Sequence, residues 1–160
     1  MSKARGGRKG MSRRPLTREM LLPFAPPQVR ALSLSSHLAL LALEKGEGNW
    51  DHMVVLAGVI CRTSLMGDPS GIDTDKPLLE AADLVMRRLM DGADPDRRWS
   101  VGAEDGAVLA RVLAIHDQMV ATLPRRRYFE AQARMEREAN AVPREVWDGL
   151  PAWCQPPARV

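Results

Sequence analysis

Aromatic side chains make up only 4% of this chain, and runs of the β-branched and aromatic residues that build strands are scarce. That shortage argues against a sheet-based core, whereas Leu, Val, Ala and nine Met suit packed helices. Cysteine is almost missing too. Two residues, Cys61 and Cys154, make no disulfide framework, so a reducing setting is expected and Cys61 reads as a small apolar filler. No stretch reaches the roughly 18 uncharged apolar residues of a membrane span. The basic N-terminus is not followed by the apolar segment of about 7–15 residues that a secretory signal needs. A soluble, cytoplasmic protein is the expectation. Acidic residues are absent from positions 1–18, which carry seven basic ones: Lys3, Arg5, Arg8, Lys9, Arg13, Arg14 and Arg18.

What remains is a chain of 160 residues, enough for one domain with a real core. The net charge of +3 divides unevenly, because from Glu19 onward the body carries −4. Residues 1–14 have little to bury and read as a basic, disordered arm. Met11-Ser12-Arg13 echoes Met1-Ser2-Lys3, so Met11 is an alternative start. Residues 15–150 read as the helical domain and 151–160 as an irregular tail. The expected fold is all-α, a bundle of about five helices.

The longest apolar run, Asn49 to Met66, is the expected centre of that bundle, with Asn49 as N-cap, Asp51 in the first turn and Gly67 as stop. Before it, Thr17 could cap a single turn, with Met20, Leu21, Leu22 and Phe24 as a hydrophobic hook. Pro27 opens a short helix through Leu32, and Ser33 or Ser35 caps the next, closed by Gly46, with Leu34, Leu38, Leu41 and Ala42 at helical spacing and Leu40 and Leu43 widening the stripe. After it, GDPSGIDTDKP is a loop. Asp75 caps a helix to Gly92 with Leu78, Ala82, Val85 and Leu89 inside, and Asp83 pairs with Arg87. Trp99 is expected to pin an irregular segment onto the bundle. The helix over 104–123 carries Val108, Val112, Ile115, Met119 and Leu123, with Leu109 and Val120 widening that face, and Pro124 ends it. A more polar helix follows, with Tyr128, Ala131, Met135 and Ala139 inward, and then a short one from Pro143 to Leu150.

Chemistry is hard to place. His37, His52 and His116 match no metal-ligand spacing, and no cofactor motif is present, so neither metal nor cofactor is expected. His116 reads as a hydrogen-bonded core histidine, since Asp117, its neighbour on a helix, points about 100° away. Asp68, Asp73 and Asp75 lack the spacing of a calcium loop, and GDPSG lacks the Gly-Lys-Ser/Thr of a phosphate loop. Arg125-Arg126-Arg127, ahead of Tyr128-Phe129, is the most suggestive cluster. Three arginines at a helix start oppose its dipole, a cost of roughly several tenths of a kcal/mol that a phosphate or acidic partner would relieve. A solvated junction pairing with Glu130 and Glu136 is the other reading, and both stand. Trp50, Trp147 and Trp153 read as anchors, or the last two as a partner surface if exposed.

The segment RRPLTREMLLPFAPPQVRALSLSSHLALLAL resembles the start of small proteins carried by phages, prophages and plasmids of proteobacteria, some labelled Fis-type transcriptional regulators. The resemblance implies a mobile-element origin and DNA binding. Residues 124–150, however, lack the short turn and polar recognition helix of a Fis-type reader. The expectation is a non-enzymatic regulator or adaptor that meets nucleic acid, or an acidic protein surface, through the arm and Arg125–Arg127. The alternative is a protein-binding inhibitor of a host enzyme or defence complex with no nucleic-acid contact. A homodimer is compatible with Met-rich helices, and an enzyme finds no paired acid, base or nucleophile in the sequence.

Overall fold

The computed structural model describes residues 17–67, 75–91 and 98–141. A 3₁₀ turn, Arg18–Leu21, precedes five α-helices: α1 Pro26–Glu44, α2 Trp50–Gly67, α3 Lys76–Met90, α4 Ala103–Thr122 and α5 Arg125–Ala141. No strand occurs among the described residues; a single antiparallel bridge joins Gly48 to Trp99. The arm, the loop around residues 68–74, the expected helix at 143–150 and the tail lie outside the described residues, as do Cys154, Trp147 and Trp153.

Most boundaries follow from short-range chemistry. Asn49 caps α2 by accepting the His52 N–H on Oδ1 (3.1 Å), while its own N–H donates to His52 Nδ1 (3.2 Å). Asp75 Oδ1 accepts the Leu78 N–H at 3.1 Å, and Lys76-Pro77 open α3. Gly46 ends α1 at φ 73°, where the Glu47 N–H reaches back to the Ala42 carbonyl. Pro124 separates α4 from α5.

Helix α1 departs from expectation twice. It is one helix, because Ser35 and Ser36 donate to carbonyls one turn back, at Leu32 and Ser33, and Ser33 donates to Asp117, so neither Ser33 nor Ser35 caps a second helix. Its inner face is Ser36, Ala39, Leu40 and Leu43, whereas Leu34, Leu38 and Leu41 lie exposed. Of the expected stripe, Leu40 and Leu43 face inward, but the line Leu34-Leu38-Leu41 is the outer one. On α4 the buried set is Leu109, Val112, Leu113, His116, Met119 and Val120, with Val108 and Ile115 only partly covered. On α5 only Ala131 is buried.

The core gathers around α2. Met53, Leu56 and Val59 pack with Leu43 of α1, Leu109 and Leu113 of α4, and Leu79, Ala82 and Val85 of α3. A second cluster, Met66, Met119, Val120 and Ala131, seats α5 with Phe24 and Tyr128. The outer face of α2 stays partly open, with Val54 half exposed. Trp99 is 1% exposed, as expected for a pin: its indole N–H donates to the Leu89 carbonyl (2.8 Å), and its backbone exchanges two hydrogen bonds with Gly48.

That exchange needs glycine at position 48. A Cβ there would stand 2.7 Å from the Trp99 carbonyl oxygen and 2.9 Å from the Leu43 side chain. Gly48→Ala is expected to cost about 2–4 kcal/mol, through backbone displacement at the Trp99 pin. Gly102→Ala, where nothing lies within 4 Å, should stay within about 1 kcal/mol. Urea unfolding of the two variants checks the difference.

Candidate functional site

Of the ten basic residues picked out by sequence, six (Lys3, Arg5, Arg8, Lys9, Arg13 and Arg14) lie outside the described residues. The structure brings the other four to one end of the bundle. Arg18 sits exposed in the 3₁₀ turn, which is fastened to the start of α5 by several contacts. The Arg125 N–H donates to the Leu22 carbonyl (2.9 Å), the Arg125 guanidinium donates to the Pro23 carbonyl (3.2 Å) and pairs with Glu19, and it lies 5.4 Å from the centroid of the Phe24 ring. Phe24 meets Tyr128 edge-on at 5.4 Å and Phe129 at 5.9 Å. The expected hook is thus real, but Phe24 and the backbone make it; Leu21 and Leu22 remain exposed, and Thr17 makes no side-chain cap bond.

The three arginines divide the work. Arg125 is spent on this clamp and is mostly covered. Arg127 approaches Glu130 at 3.9 Å, one of the two partners expected of the cluster; Glu136 instead accepts from Gln132. Arg126 is half-buried, with its Nε enclosed and lacking a hydrogen-bond partner. The α5 dipole therefore meets three cations at its positive end, of which Arg125 pairs with Glu19 and Arg127 lies by Glu130.

Behind this end lies a buried group that sequence reasoning placed but misread. His116 is 2% exposed, and neither ring nitrogen has a hydrogen-bond partner. Tyr128 lies 6.3 Å from it, ring to ring, and Arg62 stands 5.5 Å from the same tyrosine ring, its guanidinium donating to Gln132 at 3.0 Å. These contacts join α4, α5 and α2. Burial, helped by the nearby Arg62 charge and opposed by Asp117, pulls the His116 pKa down to about 4. The imidazole is neutral at pH 7, and Asp117 does not orient it, at 3.9 Å from Nδ1.

Asp117 is occupied elsewhere. Its Oδ2 accepts from Ser33 Oγ at 2.7 Å and meets His37 Nε2 at 2.8 Å. Serine, histidine and carboxylate in contact invite a nucleophile reading, but here the carboxylate sits between the other two. The imidazole has no bond to the serine whose proton it would need to take. The trio is a tether between α1 and α4. Its only trace in the sequence is the i, i+4 spacing of Ser33 and His37, and the partner, 84 and 80 positions away from them, could not be read. His52 completes the Asn49 cap of α2, a part for His52 that the sequence did not indicate.

Comparison of the chain with family models, with characterised proteins and with solved structures gives no match. Among the described residues, no group of three or more His, Cys, Asp or Glu could hold a metal ion, and no helix is long and apolar enough to cross a membrane. A shallow apolar groove of about 340 Å³ runs between α2 and α3 past Ala57, Cys61, Leu79 and Met86. Burial pushes the Cys61 thiol upward, with Glu138 adding to the effect, so it is a poor nucleophile.

The depressed His116 pKa has a consequence for stability. Its folded value lies below the ordinary 6.5, so the unfolded chain binds the proton more readily and acid favours unfolding. The loss begins as pH falls through about 6.5 and is complete near 4, amounting to about 3 kcal/mol. His116→Leu should flatten that part of the profile relative to the parent chain, as read from urea midpoints between pH 7 and 4. Equal slopes in the two proteins would refute the assignment.

Proposed function

We propose that this protein is a non-enzymatic helical regulator or adaptor that binds nucleic acid through the basic end of its bundle. The observation that carries the reading is the convergence just described. The clamp of Arg125 on Glu19, Leu22 and Pro23 sets the root of the arm beside Arg126 and Arg127. Arg18 thereby lies at the same end of the bundle as the arginines of α5 and the positive end of the α5 dipole, and the six further basic residues of positions 1–14 precede it in sequence. Phosphates are the ligand that such an arrangement suits, by counterion release and without base readout. α5 runs unbroken from Arg125 to Ala141, so this part of the chain has no room for the turn of a helix-turn-helix. Sequence-tolerant binding follows from that.

A second reading, a protein-binding inhibitor without nucleic-acid contact, draws on two features. Arg125 is consumed internally, and Phe129 stands half exposed beside the patch, where a partner protein could cover it.

Anisotropy with a random-sequence duplex at several salt concentrations separates them. Binding should weaken steeply with salt, and the slope of log K against log salt should fall by about 1 for each phosphate-contacting arginine removed at Arg126 or Arg127. Deleting residues 1–14 should remove most of the remaining slope. Absence of binding at low salt eliminates the nucleic-acid reading and leaves the inhibitor.

A further inference from the structure

Helix α1 presents a second apolar face that nothing in this chain covers among the described residues. Leu34, Leu38 and Leu41 are 59%, 53% and 42% exposed, opposite the buried Ala39, Leu40 and Leu43. Single exposed leucines are ordinary; three in line are not. From Ala31 to Leu43 the chain carries no Asp, Glu, Lys or Arg, so this face offers no charge to desolvate. Ala31, Leu34, Leu38 and Leu41 follow one another at spacings of three, four and three, the seam of a two-helix coiled coil.

We infer that this stripe is a homodimer interface in which α1 of one copy packs antiparallel on α1 of a second. Charge decides both the occupant and the direction. The uncharged segment is bracketed by Arg30 at one end and Glu44 at the other, both exposed and outside the ion pairs of the described residues; the Glu44 carboxylate rests against Gly106 in the first turn of α4 and swings outward to meet a second copy. Fourteen positions apart, almost four full turns, they lie on the same flank of the stripe. An antiparallel pairing sets Leu34 of each copy near Leu41 of the other and Leu38 near its own counterpart. It also places each Arg30 against the Glu44 of the second copy, giving two symmetric ion pairs. A parallel pairing would oppose Arg30 to Arg30 and align the helix dipoles, both unfavourable. The surface is complementary to itself in one orientation, as a two-fold interface requires.

The contact spans about four turns, roughly 22 Å, and its area falls near the lower bound of about 1,000 Å² for a specific interface. Dissociation in the micromolar range is therefore expected. The test is sedimentation equilibrium of the full, nucleic-acid-free chain from about 1 to 300 μM, bracketing that range. The parent should move from monomer to dimer. Leu38→Glu, at an exposed site that leaves the fold intact by circular dichroism, should weaken association by about 30-fold or more. Arg30→Glu should weaken it by about tenfold, and adding Glu44→Arg in the same chain should restore it to within about threefold of the parent. A monomer at the highest concentration, a dimer indifferent to Leu38→Glu, or a double variant no tighter than Arg30→Glu overturns the inference.

Discussion

Burial of one face of α2 against α1, α3 and α4 is the interaction on which everything else in this protein depends. With few aromatic rings to fill space, the interior relies on close approach of helices carrying Leu, Met and Val. Small polar residues at the contacts make that approach workable. Thr63 and Ser36 are fully buried, yet each hydroxyl donates to a carbonyl of its own helix, Val59 and Ser33, so neither asks anything of its neighbours. Trp99, the fully buried aromatic ring among the described residues, arrives from the segment before α4 and, with Trp50 beside it, closes the end of the core where α1 turns into α2. Helix α5 is an addition to this assembly, seated through Ala131 and through the aromatic contact with Phe24.

How much of this was legible from the residues depends on the range of the interaction that decides it. Helix ends are decided by atoms within one turn, so Asn49, Asp75, Gly46 and Pro124 could be read directly. Which face a helix buries is decided by neighbours far away in sequence. In α1, leucines occur all round, and the stripe with the cleaner period, Leu34-Leu38-Leu41, is the outer one. In α4 the expected Leu109, Val112, Met119 and Val120 are buried, but the face is turned by part of one position toward Leu113, which makes His116 a central residue instead of a marginal one. The serines of α1 show the same limit. Whether such a residue caps or back-bonds depends on whether its helix continues, and that is a property of the whole packing.

The candidate site shows why a charge cluster cannot be weighed by counting. Three adjacent arginines look equivalent in sequence, but the 3₁₀ turn makes Arg125 a structural part, held by a carboxylate, two carbonyl-bearing residues and a ring. Without that sacrifice the 3₁₀ turn would not be fastened to the start of α5, and the proposed function needs the arm rooted there. His116 bears on the same point. Its neutral ring fills the space between α4 and Tyr128, and a charge there would repel Arg62 across the tyrosine.

The two proposals constrain each other through α1. The arm root lies at the N-terminal end of this helix, because the 3₁₀ turn is separated from Pro26 by only a few residues. Two copies joined antiparallel along α1 would carry their roots at opposite ends of a helix about 28 Å long, comparable with the 34–36 Å helical repeat of a DNA duplex. On the proposed function, each arm alone would meet phosphates weakly and without regard to base sequence. Held at that separation by a rigid seam, the second contact would become intramolecular, and affinity would rise without any new base-reading element. The exposed face of α1 and the basic arm would then be parts of one arrangement, the leucines supplying the spacing and the arginines the attraction.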